Sequence, residues 1–183
     1  KAGEMAEKTR YFLALSDFYS GDYEFSAIQL KSLGRQYTSY YANDALELRL
    51  WLQAINAMDS TAQVHVTFPR AMLEELKGNN TKAEAMLWEI ARNQSNPFSG
   101  YSYVVLYSLG ADLEEYVTSL DKYLVEQKNT PLREQLMWLR AQAALHLNAQ
   151  ESSSVSSDAL YSYYEELILT FPNGFYSPLA RKA

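Results

Sequence analysis

The side chains able to do chemistry are few and poorly placed for it. His65 and His146 are the only histidines of the 183 residues, and cysteine is absent. Neither histidine has a second histidine or a carboxylate at metal-ligand spacing, so no metal site is expected. Glu74-Glu75, Glu114-Glu115 and Glu165-Glu166 are adjacent pairs. Successive residues splay around a helix, so none forms a facing acid–base dyad. The serine-rich run 151–157 has no strand–elbow–helix setting to raise a nucleophile. No glycine loop of the phosphate-cradling kind occurs. These residues imply neither catalysis nor a cofactor, and the expectation is a non-enzyme.

Composition narrows the class further. Apolar residues make up 48% and charged residues 21%, with a net charge of −6. A general nucleic-acid binder needs a basic stripe to displace counterions, so nucleic acid is not an expected partner. No apolar run approaches the roughly 18 residues of a membrane span. The chain opens at Lys1 without Met or signal sequence and reads as a mature or truncated fragment, with any lipid anchor outside it. Only seven Gly and five Pro punctuate the chain, too few for a sheet-rich fold.

The elements that must position any site are therefore helices, about nine of them. Met5, Phe12, Leu13, Leu15 and Phe18 fall near helical spacing, and Gly21-Asp22 stops that helix and caps the next. Phe25, Ile28, Leu30, Leu33 and Tyr37 mark the second helix. Leu46, Leu48, Leu50, Trp51, Leu52 and Ile55 crowd a third over 42–57, implying burial on more than one side. Residues 62–67 read as a connector, because Val64-His65-Val66 alternates like a strand, and Pro69 is expected in the first turn of the fourth helix. Gly78 ends that helix and Asn79-Asn80-Thr81 caps the fifth, which Asn96-Pro97 stops. A sixth spans about 98–109. Asp112 opens a seventh, Thr130-Pro131 an eighth and Asp158 a ninth. Residues 175–183 look like the start of another.

Spacing favours a stack of helix pairs over a bundle. Gly78, Ala111 and Asn148 occupy equivalent turns, close to the period of about 34 residues of the tetratricopeptide repeat. Small residues Ala71 and Ala141 sit two such periods apart. Gly21-Asp22-Tyr23 followed by Ser26, and Gly78 followed by Ala83, resemble that family's turn and small-residue positions. Leu113-Glu114-Glu115-Tyr116 resembles its second-helix start, with Tyr116 where the family prefers Ala. The stretch from Glu165 to Tyr176 is similar to the repeat end of periplasmic and outer-membrane-associated members, and Ala42 to Leu48 looks like a segment of large exported repeat proteins of Gram-negative bacteria. No unit carries the full Trp-Leu-Gly-Tyr signature.

The resemblance implies one all-α superhelical domain over 1–183, with units at about 4–37, 64–95, 98–129 and 131–172. The helix at 42–57 is left over, and the stack should be irregular near 58–67. It also implies a protein or peptide partner held on a concave face lined by first helices. Carried over, that face is Tyr11, Leu15, Phe18 and Tyr19; then Phe98, Tyr101 and Val105; then Gln135, Trp138, Gln142, Leu145 and His146. A periplasmic or outer-membrane-associated scaffold is the expectation. A helical domain binding a small ligand or glycan strand in an aromatic cleft, and a structural or oligomerising spacer, are the alternatives. An apolar strip would favour a peptide, polar groups among exposed aromatics a ligand, and tyrosines confined to helix seams the spacer.

Overall fold

A computed structural model describes residues 2–33, 40–56, 64–149 and 156–183, apart from the side chains of Ala2, Ser32, Val64 and His65. Among these residues there are ten helices and no strand, with neighbouring helices packed in pairs, an all-α arrangement of helical-repeat type. The expected boundaries of the second helix's last turn, of residues 57–63 and of the serine-rich loop through Val155 lie outside the described residues. The chain divides into two compact units, Lys1–Ala83 and Glu84–Ala183.

The first unit holds α1 (Ala2–Ser20), α2 (Tyr23–Leu33), α3 (Ala42–Asn56) and α4 (Val64–Leu76). Its core is an aromatic chain through three of them. The Trp51 ring of α3 lies 5.7 Å from Phe18 of α1 and 5.2 Å from Phe68 of α4. Such tilted and edge-on pairs are the arrangements that aromatic quadrupoles favour. The helix left over in the sequence is thus built into this core.

Two expectations for this unit, for α3 and for α4, are corrected. Helix α3 buries one side, through Ala45, Leu48, Trp51, Leu52 and Ile55, while Leu46 and Leu50 are exposed. Phe25 and Ile28 of α2, 62% and 63% exposed, lie outside the core that Leu30 and Leu33 enter. Helix α4 begins at Val64 and encloses Pro69, which therefore costs the helix a backbone hydrogen bond. Two alternating valines are too short a signal against the helical spacing of Phe68, Ala71 and Met72, all buried.

Helix α5 (Asn80–Arg92) begins in the first unit and continues into the second. The latter also holds α6 (Ser99–Leu109), α7 (Leu113–Glu126), α8 (Arg133–Asn148), α9 (Ser157–Thr170) and the short α10 (Ser177–Ala180). Trp88, Phe98, Tyr103, Leu106, Tyr116, Leu120, Leu136, Met137 and Leu167 are among its buried side chains. Ser156 caps α9, its hydroxyl accepting from the Ala159 amide at 3.2 Å.

Among the described residues one turn recurs three times. Gly21, Gly78 and Gly110 have φ of 87°, 78° and 76°, the left-handed region that L side chains avoid. Each glycine amide donates three residues back, to Phe18, Glu75 and Tyr107, and each following amide donates five back, to Asp17, Glu74 and Leu106. This Schellman arrangement satisfies carbonyls that a helix end leaves open. The caps Asp22, Asn79 and Asp112 follow, and the amides of Ser26, Ala83 and Tyr116 donate to their carbonyls.

The residue at that last position sets how closely a pair can pack. Ser26 and Ala83 are small and fully buried. In the third copy Tyr116 faces Tyr103 edge-on, ring centres 6.0 Å apart. That copy fills with aromatic rings what the others close by backbone approach.

Candidate functional site

Helix α1 places Tyr11 and Tyr19 two turns apart on one face, and both are half-buried. Tyr11 stacks on Tyr41, with ring centres 5.2 Å apart and planes 17° from parallel. Burial and the neighbouring Asp44 and Glu47 push its phenol up to about 12. Burial, with Tyr11 and Glu75 nearby, raises Tyr19 as well. Beside Tyr19 a cleft of about 360 Å³ opens along α1 and α4, lined by Phe12, Leu15, Ser16, Tyr19, Leu73 and Leu76, with Ser20 at its end. Phe12 and Leu76 are 47% and 59% exposed, so an apolar strip faces solvent here.

In the second unit, α8 carries two faces. Leu136, Met137, Arg140, Ala141, Ala143, Ala144 and Leu147 are buried. Gln135, Trp138 and Gln142 are half-buried, and Leu145 and His146 are exposed. Trp138 stacks on Tyr176 at 5.5 Å, and the Gln142 amide donates to the Tyr164 hydroxyl at 3.0 Å. His146 stacks on Tyr107 at 6.5 Å. The Tyr176 end is anchored through its backbone amide, which donates to Glu134 Oε1 at 2.7 Å. A Cβ on Gly174 would lie 2.2 Å from that same oxygen, so glycine makes room for the anchor.

Behind this face Arg140 joins three helices. Its guanidinium, 5% exposed, donates to Asp121 of α7 at 2.9 Å and to Glu166 of α9. It also lies over the Tyr163 ring at 4.2 Å, and the Tyr163 hydroxyl donates to the other Asp121 oxygen at 2.9 Å. Burial and Asp121 push the Tyr163 phenol up to about 12. No sequence motif announces this joint. Arg140, Asp121, Tyr163 and Glu166 sit on three helices, and only their packing brings them together.

The expected concave positions thus separate. Phe18 and Phe98 are fully buried and Leu15 nearly so; they serve the core and leave the candidate surface. Leu15 still shows an edge to the α1–α4 cleft. Tyr101 is half-buried, its ring 6.1 Å from that of Phe98, and Val105 beside it is half-buried too. Sequence reasoning missed a polar cleft of about 560 Å³, whose lining includes Arg92, Gln94, Tyr103, Glu115, Ser119 and Lys122. Arg92 pairs with Glu115 there and lies over the Trp88 ring at 5.1 Å. No local motif signals it, because α5, α6 and α7 each contribute only one or a few of these residues.

Among the described residues no three His, Asp or Glu side chains gather to hold a metal, and no helix is long and apolar enough to cross a membrane. Comparison of the chain with protein families, with curated proteins and with solved structures finds no match.

Proposed function

We propose that this chain is a non-catalytic scaffold for protein–protein contact, made of tetratricopeptide-like helix pairs and belonging to a bacterial envelope protein. The observation that carries the reading is the apolar cleft of α1 and α4. Phe12 and Leu76 keep about half of their surface in solvent there, and a cleft of about 360 Å³ suits apolar side chains of an extended or helical segment. Helix-in-groove recognition works by anchors of this kind. The envelope assignment is supported by the resemblances of the stretches from Glu165 to Tyr176 and from Ala42 to Leu48.

Capture from bacterial envelope extract with wild type and a Leu76→Asp variant tests it. Leu76 is mostly exposed, so the fold tolerates the change, which helical circular dichroism verifies. Loss of specific bands with the folded variant is expected; an unchanged set contradicts the reading.

A second reading attaches to α8. Gln135, Gln142 and His146 interleave there with Trp138, and amides beside a stacked aromatic pair suit a glycan or small polar ligand. Tryptophan fluorescence titrated with glycan fragments tests this, with Trp138→Phe as the control.

A further inference from the structure

Charge decides what kind of segment the α1–α4 cleft can take. Glu75 adjoins the lining residue Leu76 on α4, and at the Phe12 end Tyr41, edge-on to Phe12 at 6.0 Å and stacked on Tyr11, leads into α3 with its Asp44 and Glu47. No cation pairs with these three among the described residues, whereas Glu74 on the same helix holds both Lys77 and Lys82, at 3.3 Å and 3.4 Å. The nearby lysines of that end are therefore already engaged. Of the cations of α1, Lys8 stands with Tyr40 and Tyr41 in a separate cleft, and Arg10 is exposed. Glu47 responds to the crowding: burial and Asp44 raise its carboxyl above the ordinary range. An apolar strip bordered by carboxylates that no ion pair holds attracts positive charge by Coulomb interaction, and the Tyr19 ring adds to it.

We infer that this cleft takes a cationic amphipathic segment of a partner protein. An apolar side chain sits among Phe12, Leu15, Leu73 and Leu76, while lysine or arginine on the same segment meets Glu75 at the Tyr19 end and Glu47 at the Tyr11 end. An acidic segment would bring like charges together at both ends and be rejected. The inference rests on the partner reading above and adds the class of partner to it.

Fluorescence anisotropy of the whole chain with three labelled amphipathic peptides tests it: leucine with lysine, with glutamine, and with glutamate. Affinity should fall in that order, and the lysine peptide should weaken as salt screens the carboxylates. Leu76→Ser should weaken the lysine and glutamine peptides about tenfold, the loss of one apolar anchor. Glu75→Gln should weaken the lysine peptide alone, by about threefold, as an exposed charge pair allows. Leu169→Ser, at an exposed site in the other unit, should change nothing. Equal binding of all three peptides, abolished by Leu76→Ser, overturns the charge assignment and leaves the partner reading standing. Lysine-peptide binding that survives both cleft substitutions is general adsorption to an acidic protein and overturns the inference. Binding of none overturns both.

Discussion

The Ser26 hydroxyl donates to the Ala14 carbonyl across the crossing of α1 and α2, at 2.7 Å, with Ser26 fully buried. The contact needs a side chain that is both small and a donor. Ser26→Ala should cost about 1 kcal/mol, since the carbonyl also belongs to helix α1. Ser26→Leu must push the helices apart and should cost about 2–3 kcal/mol. Chemical denaturation followed by helical circular dichroism measures both; equal costs would mean that the crossing is not closely packed.

Tyr103 and Tyr116 give opposite expectations for the same substitution. The Tyr103 hydroxyl shares a hydrogen bond of 2.7 Å with the Ser119 hydroxyl. The Tyr116 hydroxyl is buried without a hydrogen-bond partner among the described residues. Tyr103→Phe should destabilise by about 1 kcal/mol and Tyr116→Phe should stabilise by a similar amount. Denaturation midpoints decide the sign, and a loss of stability in Tyr116→Phe would contradict the packing described.

Arg140 should be cheaper to remove than its partners. Its side chain is 5% exposed, whereas those of Asp121 and Glu166 are 39% and 47% exposed. Arg140→Met leaves two carboxylates that water can reach and should cost about 1 kcal/mol. The double change Asp121→Asn with Glu166→Gln leaves a buried guanidinium without counter-charge and should cost about 3 kcal/mol or more. The reverse order of melting temperatures would refute the three-helix joint.

Alkaline pH should loosen the chain through its tyrosines. Tyr11 and Tyr163 are raised from 10.0 to about 12, so the folded state holds these phenol protons more tightly than the unfolded state. Their contribution is complete below pH 10 and is lost as pH climbs towards about 12. Melting temperature should hold steady and then fall over that window as tyrosinate absorbance grows. Tyr163→Phe, which cannot ionise, should make the fall shallower, and an unchanged slope would count against the account.

Much of the architecture was legible because helix stops are local chemistry. Gly21-Asp22 and Gly78-Asn79 announce their turns, since a left-handed residue followed by a cap has few substitutes. From about Phe98 onward the helices begin within a few residues of where their stops and openers place them, although of α6 to α10 only α7 and α9 have a side-chain cap. Which apolar residues face inward was less legible. Phe25 and Ile28 have the spacing of a buried stripe, yet the stripe that is buried starts one residue later and runs through Ser26, Leu30 and Leu33. Phe18 and Phe98 failed as surface candidates for the same reason, because an aromatic at a first-helix position suits core and groove alike. Arg140 and the α1–α4 cleft depend on residues far apart in sequence, and no periodicity reports where helices will meet.

The central claim is that Leu76 sits at a partner-binding cleft. A photoreactive amino acid placed at Leu76, and separately at Leu169, tests it most directly by illumination in bacterial envelope extract. Discrete protein adducts from position 76, absent at position 169, are expected. Adducts at neither position, or the same adducts at both, would contradict it.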